Sequence, residues 1–561
     1  MATGRTGWIA GINHGAHDAS AVLLHEGRLV VWVEQERLSR TKHAIDEPPA
    51  EALRACLEFA GIGPADLDCI ALGSDHDSLA RWLCLDAEQR RKVLPFDRPA
   101  RILPADLLDG APPPPTVTVR HHLAHAASAF YPSGFDRAAG LVMDAMGEDA
   151  STSLAVCQGN DLSLPVSYGV EESLGFFYEA AALYAGFSRL QTGKLMGLAS
   201  YGTPGEPMPL EADRNQSGRL WTLRHNARTP GRAGIDARED DLLAFFGEQV
   251  FPHCRRETEE VMAYQDFAAS AQAALEDAIL TLAERAVTVA GSRDLTLSGG
   301  VALNCSANGV LSRSGLCDRL FVQPASTDSG VAYGAALVKA RELYGTSFHP
   351  GEMRHAYWGL ESTRTEIRAA LDASGLPYRE LAAPALCEAA AEVIARDGIV
   401  AWHQGRAEIG PRALGARSLL GNPARRATLA RINRIKQREV WRPLAPSVLD
   451  TQFDAYFDGT PNPFMIVSAL VRPQMRRRIP AVTHVDGTAR PQVVTRSANP
   501  RFHDLLTHLH RKTGTPIAIN TSLNGPEEPI CLRPAETIRL FQSTEIDALA
   551  LGDFLVEKPH G

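Results

Sequence analysis

Leu295-Thr296-Leu297-Ser298-Gly299-Gly300-Val301-Ala302-Leu303-Asn304 reads as a buried strand that runs into a glycine turn, with helix-favouring sequence after Asn304. The strand pattern recurs on both sides of it. Ala139-Gly140-Leu141-Val142-Met143 is a strand ending on Asp144, and Leu320-Phe321-Val322 leads to Asp328-Ser329-Gly330. Cys69 to Gly73 is a further buried strand ending in a polar loop. The first forty residues read as paired strands, Trp8–Ile12, Ala19–Leu24 and Leu29–Val33, joined by turns at Asn13-His14-Gly15-Ala16 and Glu26-Gly27-Arg28. Helix patterns cover Pro49 to Ala60 and about Tyr264 to Ala290. Strands alternating with helices predict an α/β architecture.

The chain has 561 residues, too many for one core. Composition shifts near residues 345–365, and Phe348-His349-Pro350-Gly351 marks a boundary, giving expected domains of 1–355 and 356–561. Prolines 112–115 mark a linker, and the polar stretch 203–240 reads as a long loop or insertion. Hydrophobic residues make up 45% and charged residues 22%, as in an ordinary globular protein. No apolar run is long enough to span a bilayer, and the N-terminus lacks an apolar signal region. The nine cysteines form no Cys-x-x-Cys pair, so buried free thiols in a reducing cytoplasm are expected. A net charge of −9 argues against a nucleic-acid partner.

Four constellations carry chemistry. The first is His121-His122-Leu123-Ala124-His125, which sets His121 and His125 on one face of a helix. With Asp144 and Asp328 at two strand ends, it offers two imidazoles and two carboxylates to a borderline divalent metal; Fe²⁺, Zn²⁺ and Mn²⁺ all fit. The plain alternative is two turn-capping aspartates and two locally satisfied histidines. The second is the turn Gly299-Gly300 with Asn304, a strand-to-helix loop suited to an anion, joined by Lys194 between glycines and by the turn from Gly11 to Ser20. Its alternative is an ordinary glycine turn.

The third is the cluster Gly410-Pro411-Arg412-Ala413-Leu414-Gly415-Ala416-Arg417-Ser418 with Lys436, Arg438 and Arg442. Seven Lys or Arg face one acid between Arg425 and Arg442. Arginine matches phosphate and carboxylate oxygens bidentately, so a compact anion is the expected ligand, against the alternative of a solvated basic helix face. Asn520-Thr521-Ser522 follows an apolar strand and adds short polar contacts, or forms an ordinary Ser/Thr turn. The fourth is His17-Asp18 after the first strand, where His17 is a candidate general base and His14 a competitor; each is otherwise an exposed loop histidine.

Together these segments resemble the O-carbamoyltransferases of the nodulation-protein-U and cephem-carbamoyltransferase type, a family that also holds the tobramycin carbamoyltransferase. The matching runs are His17–Ser20, Glu34–His43, His121–Ser128, Ser173–Glu179, Gly193–Ala199, Gly299–Asn304, Gly410–Gly421, Trp441-Arg442-Pro443 and Asn520–Ser522, in the family's order. The resemblance implies an N-terminal actin/Hsp70-like domain of the threonylcarbamoyl-transferring kind and a C-terminal YrdC-like domain. Carbamoyl phosphate and ATP, with Mg²⁺, would meet in the second domain at Arg412, Arg417, Lys436, Arg438, Arg442, Asn520 and Ser522. Carbamoyl-adenylate would then pass to the first domain. There a metal, Fe²⁺ by preference, would be held by His121, His125, Asp144 and Asp328, with Lys194, Gly299, Gly300 and Asn304 toward the adenylate. His17 matches the position of the base toward the acceptor.

Relatives acting on polycationic aminoglycosides carry a carboxylate in the loop before that histidine. Here the loop is Asn13-His14-Gly15-Ala16, which points instead to a neutral polyketide, macrolide or sugar hydroxyl of specialised metabolism. Alternatives are threonylcarbamoyl transfer to tRNA and a non-catalytic ATP-binding regulatory module. A soluble cytoplasmic enzyme, with a symmetric homodimer as the default, completes the expectation.

Overall fold

The computed structural model describes residues 6–15, 17–94, 102–103, 105–108, 112–212, 221–223, 232–250, 253–256 and 258–558. Residues 1–5 and Ala16, and parts of 203–240, lie outside the described residues. The chain forms two units: Met1–Gln35 with His43–Met353, and Glu36–Lys42 with Arg354–Gly561. The seven residues Glu36–Lys42 therefore belong to the second unit although both their chain neighbours belong to the first.

In the first unit, β1 (Trp8–Asn13), β2 (Ser20–His25) and β3 (Arg28–Glu34) form an antiparallel meander. β4 (Leu67–Leu72) and β5 (Thr116–Thr118) extend it in parallel from the β1 side, giving the order β3-β2-β1-β4-β5. The arrangement then repeats. β6 (Arg137–Met143), β7 (Ala150–Gln158) and β8 (Asp161–Gly169) form a second meander, followed by the small hairpin of β9 (Leu210–Ala212) and β10 (Trp221–Leu223). β11 (Asp294–Ser298) and β12 (Arg319–Val322) extend the second meander in parallel from β6. Two mixed five-stranded sheets of one topology fit the actin/Hsp70-like expectation. The repeat exists in strand order and direction, where no short sequence period announces it.

The segment expected as a long loop contains this hairpin and the first residues of an 18-residue helix, Arg232–Gln249. Polar composition there hid a helix whose Leu242, Phe245 and Phe246 are buried.

The second unit is built on an eight-stranded sheet. Its order is Arg379–Glu380, Phe554–Glu557, Ala548–Leu551, Val400–His403, Arg417–Gly421, Ile517–Ser522, Ala445–Leu449 and Gln492–Val494. Side chains alternate between two cores. Trp402, Leu420 and Ala518 pack with Leu386, Leu505 and Leu509 on one face. Ala401, Leu419 and Ile519 pack with Ile432, Ile538 and Phe541 on the other. A sheet covered on both faces explains why its strands read as continuous apolar runs.

Among the described residues no helix is long and apolar enough to cross a membrane. All nine cysteines are free, but Cys317 is half-buried and Cys84 and Cys254 are exposed, so the expectation of buried thiols fails at those three.

Candidate functional site

The helix His121–Phe130 starts where Glu148 replaces a side-chain cap. Glu148 Oε1 accepts from the backbone N–H groups of His121 and Asp75, at 2.9 and 3.0 Å. A carboxylate at this end of a helix is favoured by the helix dipole. The helix then presents His121 and His125 one turn apart, with Nε2 atoms 3.1 Å from each other. Asp144 leaves the end of β6, and Asp328 precedes the helix Ser329–Tyr344.

His121 Nε2 lies 3.2 Å from Asp144 Oδ2 and 3.4 Å from Asp328 Oδ1. His125 Nε2 lies 3.7 Å from each of the same oxygens. The four ligand atoms all fall within 4.8 Å of one another. With bonds of about 2.1 Å, neighbouring ligands of a tetrahedral metal stand about 3.4 Å apart, so these separations fit a first-row divalent ion. His121 Nδ1 faces Ser74 Oγ at 3.0 Å, which orients the ring so that Nε2 points inward. Burial disfavours charge on His121, yet Asp328 and Asp144 hold it well above its ordinary value. A divalent cation would take the place of that proton between the two carboxylates.

Two close backbone approaches build this cluster. Gly334, on the Ser329–Tyr344 helix, sits so near the His121–Phe130 helix that a Cβ would stand 1.7 Å from Ala124 O. That contact brings Asp328 over the two imidazoles. Gly299 has φ +89°, and a Cβ on it would meet Met143 O at 2.1 Å. The turn is thereby pressed against the end of β6, and the Gly300 N–H donates to Asp144 Oδ1 at 3.3 Å. The expected anion cradle thus holds a carboxylate of the cluster.

The other residues proposed for the adenylate have different surroundings. Asn304 Oδ1 caps the helix Cys305–Arg313 through the Ala307 N–H at 3.0 Å, and its amide exchanges two hydrogen bonds with Gln272 at 3.0 Å. Its polar atoms are thus engaged in a buried network with Gln272 and the helix end. Lys194 lies on the helix Thr192–Ala199 with Nζ 5.9 Å from the Phe187 ring centroid.

His17 sits beside the cluster, its side chain 43% exposed. Its Nδ1 is 3.2 Å from Asp18 Oδ2, and Asp18 Oδ1 is 3.1 Å from His43 Nδ1. Burial opposes charge on His17, but the Asp18 hydrogen bond and the charges of Asp328, Asp18 and Asp144 push it up to about 10. A base must be neutral to accept a proton, so this role requires the charge of Asp144 and Asp328 to be compensated. Sequence reasoning missed two neighbours. His43 completes the His17-Asp18-His43 chain from 25 residues away. Glu179, half-buried on the helix Leu174–Tyr184, is pushed up to about 7 by burial, with Asp144 adding to the rise and His17 opposing it. His14 is fully enclosed against His76, with ring centroids 4.1 Å apart, and burial, His76 and His121 hold it well below its ordinary value.

In the second unit, Lys436 is 7% exposed and donates to Ser522 O, Ser522 Oγ, Asn524 O and Asn524 Oδ1 at 2.6–3.2 Å. All four acceptors are neutral oxygens. Burial, Arg438 and Arg442 hold its ammonium well below the ordinary range. Burial, Arg442 and Arg490 lower Arg438 to about 9, with Glu439 opposing. Its Nε lacks a hydrogen-bond partner among the described residues. Like charges held this close, with burial added, are favoured where an anion can offset them. Arg490 had not been singled out, since it lies some fifty residues beyond the others in sequence.

Asn520 Nδ2 donates to Ser447 Oγ and Gln492 Oε1 at 2.9 and 3.0 Å. Arg412 lies on the Gly410 turn, half-buried. Arg417 begins the strand Arg417–Gly421 that follows this turn. It is 0% exposed, paired in register with His403, and its guanidinium donates to Gln404 O, Gly405 O and Ala416 O at 3.0–3.1 Å. It braces the turn from inside. Glu408 Oε1 accepts the N–H groups of Leu414 and Arg417 in the same turn, at 2.6 and 3.2 Å.

Two family models match this chain. Carbamoyltransferase N-terminus covers residues 8–92 and 106–337, and Carbamoyltransferase C-terminus covers residues 391–558. Nodulation protein NolNO of Sinorhizobium fredii is 36% identical over 97% of this chain and 79% of its own length. Nodulation protein U of Rhizobium tropici is 28% identical over 91% of this chain and 89% of its own. The 3'-hydroxymethylcephem-O-carbamoyltransferase of Amycolatopsis lactamdurans is 34% identical over 48% of this chain and 49% of its own. The family carries an enzymatic activity, which sets aside a non-catalytic regulatory module. By both matched halves and by these relatives, the chain belongs to the carbamoyltransferases, of the nodulation-protein-U and cephem O-carbamoyltransferase type.

Proposed function

We propose that the protein is an ATP-dependent O-carbamoyltransferase that works in two steps, with a YrdC-like second unit performing activation. Carbamoyl phosphate is hydrolysed by water to carbamate and phosphate. A carbamate oxygen then attacks the α-phosphorus of ATP, pyrophosphate leaves, and carbamoyl-adenylate results. The observation that carries this reading is the crowding of Lys436, Arg438, Arg442 and Arg490, in which Glu439 offsets only part of the mutual repulsion and phosphate groups would offset the rest.

In the first unit the acceptor hydroxyl attacks the carbamoyl carbon, the bond to the adenylate oxygen breaks, and AMP leaves. His17, held by Asp18, receives the hydroxyl proton. His121, His125, Asp144 and Asp328 would hold a divalent cation, Fe²⁺, Zn²⁺ or Mn²⁺, whose charge would offset that on the departing phosphate. Lys194 and the Gly299-Gly300 turn are proposed to face the adenylate. The acceptor is a small hydroxyl compound without multiple positive charges, in keeping with the Asn13-His14-Gly15-Ala16 loop. A hydroxymethyl group appears in the name of one relative, which supports a small-molecule acceptor.

Incubation with ATP and carbamoyl phosphate, followed by mass spectrometry, should reveal carbamoyl-adenylate and pyrophosphate. Formation of ADP alone would overturn the mechanism.

A further inference from the structure

The segment Glu36–Lys42 packs on two loops of its own unit, the second. Arg37 is 5% exposed and donates from Nη2 to Gly410 O at 2.7 Å, while its Nη1 lies 3.1 Å from Glu36 Oε1. Arg40 donates from Nη1 to Ile530 O at 2.8 Å and from Nη2 to Pro529 O at 2.7 Å. The same guanidinium lies 3.4 Å from Glu536 Oε2, which also accepts from the Leu532 and Arg533 N–H groups. Lys42 Nζ reaches Glu527 at 3.5 Å, and its charge is among those that lower Lys436.

These contacts fall on the two loops that carry the anion pocket. Gly410 opens the turn bearing Arg412 and Arg417. Pro529 and Ile530 close the loop that begins at Ser522 and Asn524, whose oxygens hold Lys436. The Cys531 N–H returns to Leu523 O at 2.9 Å, and the Leu523 N–H to Arg417 O at 3.0 Å, so the two loops are stitched together. Arg40 itself sits at φ +66°, a conformation a non-glycine residue keeps only when its surroundings enforce it.

We propose that Arg37 and Arg40 are positioning residues for the activation step. They fix the turn at Gly410 and the loop 522–531 so that Lys436 and its neighbouring arginines face the phosphates. The proposal rests on the reading of the second unit as the activation site. A planar guanidinium can grip two successive carbonyls at once and set both distance and orientation, whereas a lysine ammonium cannot reproduce that fork. Misplacement of a binding group by about 1 Å can lower a rate on the order of 100-fold.

The test uses the full chain with Arg37→Lys, Arg40→Lys, Arg40→Ala and, as a control on the pocket, Lys436→Met. Pyrophosphate release gives KM for carbamoyl phosphate and ATP, calorimetry gives pyrophosphate affinity, and elemental analysis gives metal content. Arg40→Ala should raise KM for carbamoyl phosphate or weaken pyrophosphate binding tenfold or more. Arg40→Lys should fall between it and the parent, with metal content unchanged in both. Parent-like KM and binding in the Arg37 and Arg40 variants, while Lys436→Met loses both, would overturn the positioning role alone. Equal loss of metal content and anion binding in every arginine variant would reduce it to general stability and also overturn it. A parent protein that neither releases nor binds pyrophosphate would remove the activation-site reading, and the proposal with it.

Discussion

Gly334→Ala tests how the metal cluster is assembled. An added Cβ would stand 1.7 Å from Ala124 O, against about 3.3 Å for the closest comfortable carbon–oxygen approach. The obstacle is backbone, so no side-chain rotation relieves it, and the two helices must part by about 1.6 Å. Overpacking of this kind costs about 1–3 kcal/mol, or more where backbone must move. The functional effect should be larger. Asp328 heads one of these helices, while His121 and His125 flank Ala124 on the other. Metal–ligand distances tolerate only about 0.2 Å, so the cluster cannot keep all four ligands on one ion. The assay is metal content by elemental analysis after reconstitution with Fe²⁺ or Zn²⁺, together with thermal unfolding. Metal occupancy should fall below a tenth of the parent's at equal free metal, with Tm lower by about 2–4 °C per kcal/mol lost. Gly193→Ala is the control, because a Cβ there meets nothing within 4 Å in the helix Thr192–Ala199. Alanine should leave the metal in place and leave stability unchanged or raise it by up to about 1 kcal/mol. Full metal occupancy and parental Tm in Gly334→Ala would refute this account of the cluster.

Further outcomes follow from the two sites. Asp144→Asn should weaken metal binding tenfold or more in a competition titration with a chromogenic chelator, since it removes a ligand charge yet leaves the Gly300 N–H an acceptor. His17→Ala should leave carbamoyl-adenylate formation intact and abolish transfer; equal loss of both steps would contradict its assignment. Pyrophosphate binding should take up protons. The free pocket holds Lys436 below its ordinary range, and a bound anion favours its charged form. Affinity should therefore fall as pH rises through the free protein's Lys436 value, and calorimetry in buffers of different ionisation enthalpy should detect an uptake of up to about one proton that Lys436→Met reduces. Arg417→Ala should lower stability by at least about 1–3 kcal/mol in a denaturant titration, because the Gln404, Gly405 and Ala416 carbonyls lose a buried donor.

The His121–His125 face and the strand end at Asp144 were legible because helix and strand periods are local properties of sequence, whereas Asp328, expected at a strand end, heads a helix six residues beyond the strand Arg319–Val322. Contacts set by tertiary structure were not. Asn304 stands at a glycine turn, and its hydrogen bonds with Gln272, thirty-two residues earlier, are visible only in the fold. Arg417 looked like its neighbour Arg412 until pairing with His403 turned it inward. Arg490 carries no local motif, and Glu179, though it ends the Ser173–Glu179 run, matters through what folding sets beside it. The duplicated sheet order was invisible for a related reason: topology repeats, while the side chains that stabilise each copy do not.

The excursion of residues 36–42 bears on how this protein can be dissected. A fragment beginning at Arg354 would look like a complete eight-stranded module, yet it would lack Arg37 and Arg40, and the carbonyls of Gly410, Pro529 and Ile530 would lose their donors. Cutting the gene between its two family segments therefore does not cut the protein between its two units. Co-expression of the halves could still succeed, because the first half carries the missing clasp, and a synthetic peptide of residues 36–42 is the smallest piece that could be supplied in trans.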